Sequence, residues 1–118
     1  MDLKEMYDEI GGSYNEAKSR LMNDALIEKF ALKYETDGTF EELKQAVLEK
    51  DIEKSFRAAH TLKGVAANLS FNELAKAASE LTEQLRPLKE QADADLYAKV
   101  IRRQEKVIKG IETFKQSR

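Results

Sequence analysis

The sequence predicts an all-α fold, namely an antiparallel four-helix bundle with short additional N-terminal helices. Apolar residues recur at intervals of three and four along most of the chain, which is the spacing of one helix face. Charged residues make up 36% of the 118 residues, and Ala, Leu, Glu and Lys are abundant, as is typical of helical bundles. No segment shows the apolar–polar alternation of a strand. We expect one domain over residues 1–118, with an N-terminal helical cap over 1–35 and the bundle over 39–116.

The sequence of the N-terminal cap predicts that it forms three short helices. Residues 1–10 can form a helix with an apolar side, and Gly11–Gly12 then interrupts the chain. Ser13 to Glu16 has the Ser-x-x-Glu form of a capping box, in which each of the two side chains bonds a free backbone N–H. A helix should therefore start there and run to about residue 20–22. Asn23 or Asp24 can begin the third helix, whose apolar side comprises Leu26, Ile27, Phe30 and Tyr34.

Start and stop signals divide the rest of the chain into four longer helices. Thr39 to Glu42 and Ser70 to Glu73 repeat the capping-box pattern. Asp51 and Asp93 can act as N-caps, because a carboxylate favours the positive end of a helix. Pro87 disfavours helical geometry at the residue before it, so the third of these helices should end there. The predicted helices lie near residues 39–50, 51–69, 71–86 and 93–116.

Composition excludes several classes of function. The chain has no cysteine and a single histidine, so disulfides, thiolate metal sites and histidine-rich metal sites are excluded. The net charge of −2 does not resemble the basic footprint of a nucleic-acid-binding protein. No apolar run is long enough to cross a membrane, and the first residues lack the pattern of a signal peptide. We expect a soluble, cytoplasmic monomer that contacts neither nucleic acid nor membrane.

The single histidine lies in the helix predicted over residues 51–69, and the helical period separates this helix into two faces. Ile52, Ala59, Leu62, Ala66 and Leu69 gather on a core side, with Phe56 at its edge. His60, Gly64 and Ala67 gather on another side, nearly perpendicular to the first, and Arg57 and Lys63 flank the histidine. The helix therefore presents an imidazole next to small residues, with a cation on either side.

This second face has the chemistry of a nucleophilic site. An imidazole has an ordinary pKa of about 6.5, so much of it is neutral and nucleophilic near pH 7. Lys63 lies one turn from His60, where its ammonium can reach oxygens of a group carried on the ring. Gly64 costs an exposed helix about 1 kcal/mol relative to alanine, which indicates that something external must approach closely. The small side chain of Ala67 likewise leaves the surface of the next helical turn accessible to an approaching partner.

The segment Ala59-His60-Thr61-Leu62-Lys63-Gly64-Val65-Ala66-Ala67-Asn68-Leu69 resembles the signature of histidine-containing phosphotransfer (HPt) domains. The resemblance covers roughly residues 24–116 and is strongest from 40 to 85. It implies that His60 accepts a phosphoryl group from a receiver-domain aspartate and passes it to another receiver, and that Lys63 balances the phosphoryl charge. It also implies that N-terminal helices cover the bundle near the histidine. The residues implied to contact the partner are Arg57, Gly64, Ala67 and Asn68.

The resemblance further implies a carrier with no cofactor or metal of its own, whose partner receiver supplies Mg²⁺. The sequence contains no glycine-rich phosphate loop, so the protein is not predicted to be an ATP-using kinase. Many members of the family hold the histidine ring with a Gln or Glu on the next helix, near the place of Thr82. Thr82 is shorter than either, so Thr82 and Gln84 both remain candidates for this role.

Three alternatives stay open on the sequence. A lone helical histidine is commonly an ordinary surface or core-edge residue. The same small-residue face can belong to a helical adaptor that binds a partner without chemistry, although docking alone does not require a nucleophile. Finally, an ATP-dependent histidine kinase can be the phosphoryl donor.

Overall fold

The computed structural model describes residues 1–118 and is all-α, as predicted. It contains seven α-helices and one 3₁₀ turn, at Tyr34–Thr36. The helices are α1 Leu3–Ile10, α2 Tyr14–Leu21, α3 Asp24–Lys33, α4 Thr39–Leu48, α5 Ile52–Asn68, α6 Asn72–Leu85 and α7 Ala94–Gln116. No helix combines the length and the apolar content that a membrane crossing requires.

Helices α4 to α7 form the predicted four-helix bundle. Short connections join successive helices, and each helix packs against the next one in the chain, as in an up-and-down bundle. One continuous core runs through it, because each helix contributes apolar side chains at the three- and four-residue spacing. Fully buried members of this core include Leu43, Leu62, Leu74, Leu81, Leu85, Val100 and Ile111.

Three of the predicted N-caps are present. Ser13 Oγ accepts a hydrogen bond from the backbone N–H of Glu16 at 3.1 Å. The second bond of the predicted capping box is absent, because the Ser13 N–H donates to the Ser70 carbonyl at 3.0 Å. Asp51 accepts one from the N–H of Lys54 at 3.0 Å. The Asp93 carboxylate accepts from two N–H groups in the first turn of α7, each at 3.0 Å. The N-cap bonds join residues two or three positions apart, so a sequence pattern is sufficient to predict them.

The other two predicted capping boxes are wrong. Thr39 is already the first residue of α4, and its N–H donates to the Asp37 carboxylate at 2.8 Å. Ser70 is buried in the left-handed conformation with φ 59°, and α6 begins after Phe71 with no side-chain cap. Ser70 serves the reversal of the chain between α5 and α6, so its hydroxyl is not available at the start of α6.

Helix α1 packs along α7 and belongs to the same core. Met6, Tyr7 and Ile10 are buried there. The two helices approach closely at Gly110 of α7, where an added β-carbon would lie 2.7 Å from Cγ1 of Ile10. The lack of a side chain at position 110 therefore lets α1 pack closely against the middle of this long helix.

Candidate functional site

Helix α5 packs between α4 and α6, and contacts at both of its ends fix its position. Its inner side is made mostly of small residues, since Ala58, Ala59 and Ala66 are buried together with Leu62. Small side chains let α4 and α6 pack closely on either side of α5. At the N-terminal end of this helix, the Asp51 cap is supplemented by the Ser55 hydroxyl, which donates to the Asp51 carbonyl at 2.7 Å.

The N-terminal helices hold the other end of α5. The hydroxyl of Tyr7 donates to the carbonyl of Leu69 at 2.8 Å. The Arg20 guanidinium donates to the carbonyl of Ala67 at 3.0 Å and also contacts the Ser70 hydroxyl. The last carbonyls of a helix have no partners within the helix, and the Tyr7 hydroxyl satisfies that of Leu69. The Ala67 carbonyl also accepts from the Ser70 N–H at 3.1 Å, so Arg20 adds a second donor there. The resemblance to HPt domains implied N-terminal helices near the histidine, and here they anchor the end of the helix that carries it.

The outward face of α5 has the predicted arrangement. His60, Gly64, Ala67 and Asn68 are all exposed. A β-carbon built on Gly64 would meet no heavy atom within 4 Å. The glycine is therefore not needed for packing within this chain. The imidazole thus stands on a low, open surface that extends two turns toward the C-terminal end of the helix.

The two cations that flank His60 have different surroundings. Lys63 is half-buried on the side toward α6. Arg57 is exposed on the side toward α4 and pairs with Glu53, one turn earlier on α5, at 2.9 Å. Arg57 also lines a polar groove between α4 and α5 together with Glu42 and Glu49. Of these two cations, Lys63 is therefore the one that lies between the histidine face and the neighbouring helix α6.

Neither residue considered for holding the histidine ring is free to do so. Thr82 is fully buried, and its hydroxyl donates to the Ala78 carbonyl at 2.7 Å. The Gln84 amide donates to the Gln91 carbonyl and accepts from the Asp93 N–H, both at 2.9 Å. Thr82 thus belongs to the core, and Gln84 organises the loop before α7.

Sequence reasoning missed a chain of three contacting residues that begins at the imidazole. The rings of His60 and Phe56 are stacked, with centroids 6.1 Å apart and an interplanar angle of 24°. The Arg86 guanidinium carbon lies over the Phe56 ring, 5.3 Å from its centroid. Glu83 accepts from the same guanidinium, with a shortest distance of 2.7 Å. The three-residue spacing of Glu83 and Arg86 is visible in the sequence, but only packing brings Arg86 to Phe56.

The charge on Glu83 connects this group to the histidine face. The pKa of its carboxyl is held below the usual value, chiefly by the hydrogen bond from Arg86. The positive charges of Arg86, Lys63 and protonated His60 lower that pKa further. Glu83 is therefore an ionised carboxylate beside the site near neutral pH, and Arg86 balances most of its charge.

Beyond the glycine, an apolar groove of about 580 Å³ opens between α3 and α5. Its walls include Leu21, Phe30, Val65 and Leu69, and Asn68 lies at its edge. On α3, Ile27 is buried, whereas Leu26 and Phe30 from the same predicted apolar side are 39% and 38% exposed. Met22, just before α3, is 78% exposed. Exposed apolar clusters of this kind mark interaction surfaces.

Comparison with known proteins gives one family. The family model described as the Hpt domain matches residues 31–114, which include His60, Lys63, Gly64 and all four bundle helices up to Phe114. Neither a comparison with curated proteins nor one with solved structures gives a match. No three acidic or histidine side chains lie close enough together to hold a metal ion. Because the family match spans more than two thirds of the chain, the protein belongs to the family of Hpt domains, the histidine-containing phosphotransfer modules.

Proposed function

We propose that this protein is a phosphorelay carrier in which His60 accepts a phosphoryl group from a receiver-domain aspartate and delivers it to a second receiver. Hpt domains are phosphocarrier modules that act with receiver and kinase domains of two-component systems. The observation that carries the proposal is the exposed imidazole on the anchored helix α5. Lys63 lies one turn away from it, and Gly64 leaves open space above the next turn.

The transfer is a substitution at phosphorus. The lone pair of an unprotonated ring nitrogen of His60 attacks the phosphorus of the receiver's acyl phosphate. The new N–P bond forms as the P–O bond to the aspartate breaks, and the carboxylate leaves with the electron pair. The other ring nitrogen releases its proton to solvent. Delivery to the second receiver is the reverse reaction, in which a carboxylate oxygen attacks and the imidazole leaves.

Charge balance divides the work between the two proteins. A phosphoryl group adds nearly two negative charges at neutral pH, and the ammonium of Lys63 is the cation of this chain best located to offset them. We assign the Mg²⁺ needed in the transition state to the receiver and no cofactor to this protein. On this proposal the chain is a carrier and has no kinase activity of its own. We also propose that it works as a monomer in the cytoplasm.

The size of an ordinary interface indicates what the receiver would cover. A standard protein–protein contact buries about 800 Å² on each partner, which is a disc of roughly 16 Å radius. Val65 and Asn68 lie about 7.5 and 12 Å from His60 along α5, at about 1.5 Å per residue. A receiver centred on His60 would therefore extend over the apolar groove and the exposed residues Leu26 and Phe30. We propose this groove as part of the receiver-docking surface, together with Arg57, Gly64, Ala67 and Asn68.

A transfer assay tests the proposal. Receiver domains carrying a radiolabelled phospho-aspartate are mixed with the parent protein and with His60→Gln, and the labelled protein is treated with acid and with alkali. We expect uptake by the parent only, with label that is lost in acid and kept in alkali, as a phosphoimidazole behaves. Label on His60→Gln would refute His60 as the acceptor.

Two further arms separate the alternative functions. A histidine kinase with labelled ATP replaces the receiver in one arm, and uptake from this donor alone would make the protein a kinase substrate instead of a receiver-fed carrier. In the other arm, receiver binding is measured with no phosphoryl group present. Binding that persists without any label transfer would indicate an adaptor.

A further inference from the structure

We propose that the Phe56 ring and the Arg86 guanidinium position the imidazole of His60 for transfer, in the place of a hydrogen bond from the next helix. This inference rests on the proposed phosphotransfer at His60. It names Phe56 and Arg86 as positioning residues, because neither is required to touch the phosphoryl group.

The imidazole needs an external restraint. The torsion that turns an imidazole about its bond to Cβ has a broad preference, so an exposed ring is not fixed by its own rotamer. His60 is exposed, and its stacking partner Phe56 lies one turn earlier on the same helix. With the ring planes 24° apart, rotation of the imidazole out of this arrangement would lose the contact with the Phe56 face.

Phe56 is itself fixed from two directions. Its ring is half-buried and packs against the core, which limits its own rotation. Arg86 covers it from α6, at a distance of 5.3 Å that lies within the range of cation–π attraction. The Phe56 ring is therefore a fixed surface against which the His60 ring stacks, and contacts from both α5 and α6 determine its position.

Arg86 is held in turn by its neighbours. Its Nε donates to both Glu83 oxygens at 3.2 and 3.0 Å, and its terminal nitrogen donates at 2.7 Å. Such a fork orients the guanidinium plane as well as its centre. Arg86 is the C-cap residue directly after Leu85, the last residue of α6, and it keeps helical dihedrals (φ −53°, ψ −41°) although Pro87 follows it. The end of α6 thus determines where the guanidinium lies over Phe56.

The same pairing removes an electrostatic obstacle. Glu83 is an anion near Lys63 and His60, and a phosphoryl group on His60 would be repelled by an unpaired carboxylate. Because Arg86 binds this carboxylate, the positive charge of Lys63 remains available to the phosphoryl oxygens. Arg86 therefore serves the site both by covering Phe56 and by balancing Glu83.

Two phosphoryl donors distinguish positioning from simple reactivity. A phospho-receiver presents its phosphorus from one direction, so transfer from it depends on the orientation of the ring. Phosphoramidate is a small donor that can approach an exposed imidazole from many directions. We expect Phe56→Leu to slow transfer from the receiver three- to tenfold, and Arg86→Gln to slow it two- to fivefold. Labelling by phosphoramidate should stay within twofold of the parent in Phe56→Leu, which leaves every charge in place. In Arg86→Gln it should fall less than transfer from the receiver does, because the unpaired Glu83 carboxylate repels either donor.

Matched controls address the loss of a ring or of a charge in general. Phe56→Tyr keeps the ring face and should transfer within twofold of the parent. Phe40→Leu removes a comparably half-buried ring on α4, and Arg102→Gln removes an exposed arginine on α7. Each of these two control variants should accept label from the receiver and from phosphoramidate at the parent rate.

The ring-proton NMR signals of His60 report the stack without any transfer, and they are unambiguous because the chain has a single histidine. Ring currents from Phe56 should displace these signals in the parent. Phe56→Leu should remove the displacement, and Arg86→Gln should reduce it.

The outcomes separate this inference from the proposed function. A parent protein that takes label from neither donor contradicts phosphotransfer at His60, and the positioning role fails with it. Normal transfer from the receiver by Phe56→Leu contradicts the positioning role alone. Equal slowing with both donors in Phe56→Leu would show a loss of reactivity or of structure and would also overturn it. If Phe56→Leu does not fold, Arg86→Gln provides the test. Unchanged His60 ring signals and unchanged transfer in Arg86→Gln would refute the positioning role of Arg86 and of the Phe56 ring that it covers.

Discussion

Gly110 of α7 lies directly against the side chain of Ile10 of α1, so that a β-carbon at position 110 would stand 2.7 Å from Cγ1 of Ile10. The other mid-helix glycine, Gly64 of α5, has the opposite surroundings, with no atom within 4 Å of its hypothetical β-carbon. Two glycines with the same local cost to a helix are therefore present for different reasons. One lets α1 pack closely against α7, and the other leaves the surface beside His60 open.

Alanine at these two positions should change stability in opposite directions. Gly64→Ala should raise the free energy of unfolding by up to about 1 kcal/mol, because alanine is the better helix former. Gly110→Ala gains the same propensity but inserts a methyl group against Ile10, and overpacking costs about 1–3 kcal/mol. We expect a net loss of about 1 kcal/mol there. Urea denaturation measures both, and a stabilised Gly110→Ala would show that α1 shifts freely on α7.

A longer side chain at Gly64 should separate stability from function. Gly64→Gln should melt at or above the parent temperature, since nothing in the chain occupies that space. It should transfer phosphoryl groups at least tenfold more slowly, because the side chain would stand where the receiver approaches His60. Gly64→Ala is the matched control, with the smallest possible addition. Transfer by Gly64→Gln at the parent rate would mean that the partner docks elsewhere.

Removal of the Lys63 ammonium should destabilise the phosphorylated state and not the fold. A hydrogen bond to a charged group contributes about 1.5–3 kcal/mol, so Lys63→Ala should slow transfer or shorten the phosphohistidine lifetime by about tenfold or more. Lys54→Ala, at an exposed lysine two turns earlier on α5, is the control. The measurements are the decay of label on the isolated protein and the transfer rate in both directions. Unchanged values for Lys63→Ala would make Lys63 an ordinary surface residue.

Polar substitutions at the exposed apolar residues of α3 should weaken receiver docking. Leu26→Glu and Phe30→Ser should each raise the receiver concentration for half-maximal transfer about tenfold, since exposed apolar anchors dominate interfaces. Labelling by phosphoramidate should not change. Leu48→Glu is the control, because Leu48 is 68% exposed but lies at the C-terminal end of α4, away from the groove between α3 and α5. Equal effects of Leu26→Glu and Leu48→Glu would argue against a specific docking groove.

Alkaline pH should destabilise the fold through Tyr7. Burial raises the pKa of its phenol to about 12, although the Arg20 charge lowers it to a smaller degree. Because the unfolded chain ionises near the ordinary value of about 10, this stability is complete below pH 10 and is lost as pH rises toward 12. The loss is on the order of 2 kcal/mol for two units of pKa. Burial also raises the pKa of Tyr34, which adds to the trend.

Tyr7→Phe isolates the contribution of this phenol. Without the hydrogen bond to the Leu69 carbonyl, it should be about 1 kcal/mol less stable at neutral pH. Its stability should then fall less between pH 10 and 12 than that of the parent, but it should still fall, because Tyr34 and the other tyrosines of raised pKa, Tyr14 and Tyr97, still contribute. Urea denaturation across this range checks the difference. Parallel curves for the two proteins would show that folding does not change the pKa of Tyr7.

Local patterns were sufficient for the positions of the helices and for the exposure of the face that carries His60. Asp51 and Asp93 were predicted as N-caps, and each bonds backbone groups within three positions of itself. The exposure of His60, Gly64 and Ala67 follows from the helical period, because Leu62 and Ala66 must face the core. Each of these features depends on residues close in the chain, and a sequence pattern can therefore express it.

Tertiary packing decided the features that join distant residues. Ser70 has a capping pattern, yet it turns the chain between α5 and α6, where Arg20 contacts it. Thr82 and Gln84 stand near the expected ring-holding position, but one faces the core and the other the loop before α7. The imidazole instead meets Phe56, which Arg86 covers from the end of α6. The sequence by itself determined which helix carries the single histidine and which way it faces, because the hydrophobic period acts over four residues. Only the packing of α3 and α6 against α5 decided what surrounds the ring, because those contacts depend on how whole helices dock.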